Sequence, residues 1–228
     1  YDIFDSDRSD LDLYTDIVTE FDAQSVLDIG CGTGTLSCLL AGSGIDVTGV
    51  DPAKASLEVA STKKHAGLVR WIHGDATNLP AMTVDLATMT ANVAQVFVTD
   101  SHWLATLRGI GQAVRPGGMV VFETRDPAKR AWERWTEANS RTSIDIPNVG
   151  VVESWVDVTD VSLPLVTFRH TYCFEADGAV LTSDSTLRFR DHGEVESSLS
   201  ATGWTVVETR DAPDRPGREF VFLATNAQ

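Results

Sequence analysis

Gly30-Cys31-Gly32-Thr33-Gly34 packs three glycines into five residues, and Asp51 follows about twenty positions later, the interval between a glycine turn and the carboxylate of the next strand in nucleotide-binding folds. Glycine lets a chain turn sharply and bring its backbone against a ligand, and the free amides of a helix that starts after such a turn point into the site. A carboxylate at Asp51 can accept both hydroxyls of a ribose. Together these residues predict a nucleoside cofactor. Spacing narrows the choice: a dinucleotide fingerprint requires G-x-G-x-x-G, and here Thr35 stands where the third glycine belongs. An ATP-binding loop requires a lysine before its Ser or Thr, and no lysine occurs between Tyr1 and Asp51.

These residues must be held by elements that the periodicity supplies. Tyr14, Ile17, Val18 and Phe21 recur at helical spacing, with Ser9 or Asp10 placed to cap. From Ser25 the pattern alternates: strand 26–29, the glycine turn, helix 35–40 closed by Gly42 or Gly44, strand 45–50, helix 53–65, strand 68–73, strand 84–90, helix 101–114 and strand 119–122 after Pro116-Gly117-Gly118. Alternation of this kind implies a parallel sheet covered on both faces. A helix is expected over 127–139. The stretches 149–158, 165–174 and 180–189 are rich in β-branched and aromatic residues and read as three antiparallel strands. Asp191 and Glu194 have capping-box spacing, and two strands, 204–208 and 219–224, close the chain.

The stretch Val26 to Gly34, VLDIGCGTG, resembles the class I S-adenosylmethionine-dependent methyltransferases. Further correspondences fall in order: Val47-Thr48-Gly49-Val50-Asp51 resembles that family's ribose-binding strand end, and His73-Gly74-Asp75-Ala76 its adenine-contacting segment. Val84-Asp85-Leu86 through Asn92-Val93 resembles the fourth strand, and Arg115-Pro116-Gly117-Gly118 the turn before the fifth. The resemblance implies a Rossmann-like, doubly wound, mostly parallel seven-stranded α/β sheet with an added antiparallel β extension, similar to that of some small-molecule methyltransferases. It implies one domain over 1–228: an N-terminal helical cap (1–24), a cofactor-binding core (25–144), the extension (145–190) and a closing helix and strands (191–228).

Carried over, the resemblance places Gly30, Cys31, Gly32 and Gly34 along the methionine and ribose of S-adenosylmethionine. Asp28 would orient the methionine ammonium, Asp51 with Pro52 would hold the ribose, and Gly74, Asp75 and Ala76 would read the adenine. Ala91 or Asn92 would complete the ammonium site. Tyr14 and Tyr1 match a tyrosine-bearing segment that closes over the cofactor. A sulfonium methyl is already activated, so its transfer needs alignment and water exclusion more than a strong acid or base. No catalytic triad is expected, and no catalytic residue is assigned.

Each of these residues has a plainer alternative. Asp75 could cap a helix, and Cys31, with no His or Lys beside it in sequence, reads as a small filler. On the acceptor side His102, Trp103, Glu123, Arg125 and His170 are candidates, with Glu123 and Arg125 free to pair with each other or to hold a substrate. Arg188 and Arg190 share one face of a strand, for which solvent exposure is the first expectation and an anionic substrate contact the second. No metal is expected, because no cluster has ligand spacing.

The chain carries 33 Asp and Glu against 18 Lys and Arg, a formal charge of -15, which disfavours nucleic acid and anionic membranes as partners. The acidic residues crowd positions 1 to 24, where they either form a solvated helix face or bias a nearby site toward neutral or cationic acceptors. The chain opens at Tyr1 on an acidic stretch without the basic and apolar regions of a secretory signal, and no apolar run reaches membrane-helix length. Cys31, Cys38 and Cys173 form no CxxC pair and fit a reducing cytoplasm. The expected activity is methyl transfer to a small molecule. The competing readings are an NAD-dependent oxidoreductase with a degenerate loop and a non-catalytic S-adenosylmethionine-binding module.

Overall fold

A computed structural model describes residues 8–227. Helix α1 (Asp12–Glu20) is followed by β1 (Ser25–Ile29), α2 (Thr35–Gly42), β2 (Asp46–Asp51), α3 (Lys54–Ala60), β3 (Val69–His73), β4 (Val84–Met89), α4 (Asp100–Ala113) and β5 (Val114–Arg125). The strands are short and nearly continuously apolar, as strands covered on both faces must be; Val26, Leu27, Val47, Val50, Leu86 and Ala87 are fully buried. After a short helix α5 (Glu137–Ser140) come β6 (Thr142–Ile146), β7 (Gly150–Ser162), β8 (Leu165–Phe174) and β9 (Val180–Arg188). Helix α6 (His192–Ser200), β10 (Trp204–Asp211) and β11 (Glu219–Asn226) complete the chain.

Seven strands form one sheet in the order β10-β11-β5-β4-β1-β2-β3. The five from β3 to β5 are parallel, while β11 runs antiparallel to β5 and to β10. Strand order reverses at β1, so the crevice at the carboxyl ends of β1 and β4 is where an open α/β sheet binds ligands. One face is buried by α4 and α6 through Trp103, Leu107, Ile110, Val195 and Leu199. The other is buried by α1 and α2 through Tyr14, Ile17, Val18, Leu36 and Leu40. A second, four-stranded antiparallel sheet runs β6-β7-β8-β9, with a small core of Trp132, Val166, Leu187 and Phe189.

Several expectations change. The helix expected over 127–139 is two 3-10 turns, Pro127–Lys129 and Ala131–Arg134, followed by α5. Arg130 between them adopts φ +47, and the break turns Trp132 and Trp135 onto Phe189, a packing gain that a straight helix would forgo. The helix expected over 53–65 stops at Ala60, well before His65 at φ +68. Neither Ser9 nor Asp10 caps α1; a 3-10 turn over Ser9–Leu11 precedes it, and Asp10 instead pairs with Arg8. The second sheet has four strands where three were expected, because the polar segment Thr142–Ile146 gains its strand character only by pairing with β7. The capping box of Asp191 and Glu194 forms as expected.

Arg188 and Arg190 are not solvated. The Arg190 guanidinium donates to the Phe97 carbonyl at 2.7 Å and lies 5.2 Å from the Trp103 ring, while Arg188 donates to the Val98 carbonyl and Asp100. They fasten the second sheet to the first, and that tertiary use outweighs the usual preference of arginine for water. Among the described residues no helix is long and apolar enough to cross a membrane, and no group of His, Cys, Asp and Glu is arranged to hold a metal ion.

Candidate functional site

At the end of β1 the chain turns back on β2. The Gly30 and Cys31 amides both donate to the Val50 carbonyl, at 2.8 and 3.1 Å, and Gly30, Gly32 and Gly34 all take positive φ. The three glycines differ in purpose. A Cβ on Gly30 would stand 2.7 Å from Val93, and one on Gly34 would stand 2.4 Å from Trp71 and 2.9 Å from Ala60, so both are required by packing. A Cβ on Gly32 would meet nothing within 4 Å; its backbone faces open space. Lys63, from beyond α3, clamps the loop by donating to Thr33 Oγ1 at 3.1 Å and Thr35 Oγ1 at 2.7 Å.

Two carboxylates belong to this loop region. Asp28, on β1, is 1 % exposed and accepts from Ser37 Oγ at 2.6 Å and Thr88 Oγ1 at 3.1 Å. Burial pushes its pKa up to about 6, partly offset by those two hydroxyls and by the Arg8 cation. Asp51 accepts the Gly32 amide at 2.8 Å through one oxygen and the Ala53 amide at 2.7 Å through the other. Arg8, Asp28, Cys31, Gly32, Thr90 and Ala91 line one cavity of about 80 Å³. Burial, above all, pushes the Cys31 thiol well up, so it is not a thiolate here. Ala91 and Asn92, both at positive φ, form a strained pair where β4 leaves the sheet.

The other expected residues lie around this centre. The Pro52 carbonyl accepts from His73 Nε2 at 3.0 Å, and the Gly74 amide donates to the Asp51 carbonyl. Asp75 caps the turn Ala76–Asn78, accepting from the Thr77 amide and hydroxyl, and the hydroxyl contact is the main cause of its lowered pKa. Ala76 is buried; its carbonyl stands where a Cβ on Gly109 would fall, so α4 is seated directly on this turn. Tyr14 is buried, and its hydroxyl donates to Glu123 Oε2 at 2.7 Å. Tyr1 lies outside the described residues.

Glu123 is the hub of a buried network. Its Oε1 accepts the Asn92 amide at 3.0 Å, and Asn92 Nδ2 also reaches both oxygens of Glu219. Burial first, and then the Glu219 charge, raise the Glu123 pKa. Glu123 and Arg125 therefore do not pair with each other: Arg125 donates to Gln95 Oε1 at 3.0 Å, lies 3.5 Å from Glu219 and stacks over Trp135 at 5.3 Å. The remaining acceptor-side candidates are elsewhere. Trp103 is 1 % exposed in the core between Phe97 and Phe122. His102 is exposed in the first turn of α4, edge-on to Phe97. His170 lies on β8, stacked on Tyr172, and burial lowers its pKa.

Beyond Arg125 opens a second cavity of about 720 Å³. Arg125, Lys129, Trp135 and Arg134 line one side, and Arg215, Arg218 and Glu219 the other. Sequence reasoning missed Lys63, Arg8, Glu219 and this basic lining. Glu219 meets Arg125 only because β11 pairs with β5 in a register that sets the two opposite each other, and no local pattern carries that register.

Residues 26–118 match a family model described as a methyltransferase domain. The chain is 36% identical over 109 residues to the cypemycin N-terminal methyltransferase of a Streptomyces species, covering 47% of this chain and 44% of that one; it thus spans about half the length of the curated relatives it matches. Among solved structures it is similar to DesVI of Streptomyces venezuelae, with a TM-score of 0.80, 19% identity and coverage of 100% of this chain and 97% of that one. It is also similar to CalS10 of Micromonospora echinaspora, an amino pentose methyltransferase solved with S-adenosylmethionine bound (TM-score 0.73, 21% identity, 96% and 92% covered). At these identities the solved structures speak for the fold.

Proposed function

We propose that the whole protein, whose residues 26–118 match a methyltransferase domain, transfers a methyl group from S-adenosylmethionine to a small-molecule acceptor. The observation that carries this reading is Gly32: a left-handed glycine whose amide is held by Asp51 and whose backbone faces open space, in a cavity that Asp28 also lines. Any side chain there would fill the cradle. The residues present fit a molecule with a cationic amino-acid end and a ribose.

When bound, S-adenosylmethionine supplies an electrophilic methyl on a sulfonium, so little acid or base power is required of the protein. Asp28 would face the ammonium, with Ser37 and Thr88 fixing its carboxylate from behind. Asp51 already has its orientation set by the Gly32 and Ala53 amides and keeps lone pairs for the ribose hydroxyls. Asp75, oriented by Thr77, would present its free oxygen to the adenine. The cavity of about 80 Å³ is smaller than a nucleoside, so the Arg8 side chain would give way to the ammonium that replaces its charge beside Asp28. Glu123 and Tyr14 hold the Asn92 amide, and with it Ala91, against the site. This fixes the boundary between donor and acceptor and excludes water from it.

The acceptor belongs at the carboxyl edge of β4 and β5, beyond Asn92 and Glu123. The solved neighbour named as an amino pentose methyltransferase supports a small molecule in that role, and the charge of -15 argues against nucleic acid. Cys31, Cys38 and Cys173 are all free thiols, which supports a cytoplasmic setting.

A thermal-shift comparison tests the reading. S-adenosylhomocysteine should raise Tm, NAD should not, and Asp51→Ala should abolish the shift; stabilisation by NAD alone would sink the proposal.

A further inference from the structure

In a chain of net charge -15, the cavity beyond β5 gathers five of the 18 basic side chains, Arg125, Lys129, Arg134, Arg215 and Arg218, around the single carboxylate of Glu219. Two of the five have acidic partners: Arg215 pairs with Glu219 at 2.9 Å and with Asp214 at 3.3 Å, and Arg125 lies 3.5 Å from Glu219. Lys129, Arg134 and Arg218 make no ion pair among the described residues, although acidic side chains outnumber basic ones nearly two to one in this chain. Three uncompensated cations at one concavity create a local positive potential against the field of the whole molecule.

The cavity also has the size and position of a ligand site. Its volume of about 720 Å³ lies within the range of small-molecule pockets. Trp135 offers it an aromatic wall, held in place by Arg125 on its face and Phe168 at 5.1 Å. On the inner side Glu219 lines the cavity and accepts from Asn92, whose neighbour Ala91 lines the glycine-loop cavity. Asn92 thus links the linings of the two spaces.

We infer that this cavity binds the methyl acceptor by an anionic group, a phosphate or a carboxylate gripped by Lys129, Arg134 and Arg218, with an apolar or ring portion against Trp135. Arginine forks match the paired oxygens of both groups, and such charge-assisted bonds are the stronger class of hydrogen bond. The inference rests on the methyltransferase reading for what the bound molecule becomes, but not for the binding itself. Of the two readings of the acidic N-terminal segment, it favours the solvated helix face over a bias toward neutral or cationic acceptors: the sign of charge at the cavity is set by which side chains the fold collects there.

Calorimetric titrations of the full chain with pyrophosphate and with malonate, at ionic strength held constant with chloride, test it. They are run with and without S-adenosylhomocysteine. Saturable binding of either anion is expected, weakened about tenfold or more in the Arg134→Gln, Arg218→Gln double variant, while S-adenosylhomocysteine affinity is unchanged. Tighter binding of pyrophosphate assigns the group as phosphate, and tighter binding of malonate as carboxylate. No binding above the chloride control, or binding that the double variant leaves intact, would overturn the inference. Failure of S-adenosylhomocysteine to bind would instead count against the methyltransferase reading, so the two can be told apart.

Discussion

Asp28 shows how one residue can be costly to the fold and useful to the site. Burial raises its pKa from 3.8 to about 6, so the native state holds the proton more tightly than the unfolded chain does. Its contribution to stability is therefore full below pH 3.8 and is lost as pH rises through about 6, a change of about 3 kcal/mol by linkage. An ammonium beside it favours the charged form, so affinity for S-adenosylhomocysteine should run the other way, falling as pH drops below 6. Asp28→Asn should gain about 1–3 kcal/mol of stability at pH 8, yet lose affinity and flatten its pH dependence. Urea denaturation and calorimetry between pH 5 and 8 would show both. Asp28, Gly32 and Asp51 were legible in the sequence because their spacing is local to one strand-turn-helix unit and the strand after it. Lys63 and Glu219 were not, since each reaches the site from a distant part of the chain.

At the level of elements, the glycine loop does two jobs that the motif alone cannot separate. Gly34 has φ +74 and no room for a Cβ between Trp71 and Ala60, so Gly34→Ala should cost about 2–4 kcal/mol through strain and overpacking. Gly32 has φ +54 and empty space around it; Gly32→Ala should cost only about 1–2 kcal/mol and still eliminate S-adenosylhomocysteine binding. Equal losses of stability in the two variants, read from chemical denaturation, would contradict this division. The alternating strands and helices up to β5 were readable because buried parallel strands are short apolar runs bounded by glycine turns. The segment 127–140 was not, because Trp132 and Trp135 are drawn onto Phe189, just past the end of β9 and some fifty residues away, and that packing overrides helical spacing.

For the whole molecule, the join between the two sheets depends on Arg190, a residue whose sequence context suggested a solvated position. Its guanidinium satisfies the Phe97 carbonyl and covers Trp103, and burial above all lowers its pKa to about 10. Arg190→Met keeps the volume but removes the bond, and should cost about 2–3 kcal/mol, with hydrogen exchange accelerated over 93–100 where the join lies. Unchanged exchange there would show that the sheets are held by other contacts. By itself the sequence determined the sheet order's raw material, the glycine turn, the two carboxylates beside it and the class of cofactor, because all of these depend on neighbours in the chain. Only the tertiary structure decided what faces the acceptor. It pairs β11 with β5 and folds the 127–140 segment over them, which collects basic side chains from two distant loops into one cavity of an acidic protein. Net charge is a sum over residues, whereas the field at a site depends on which of them the fold brings close.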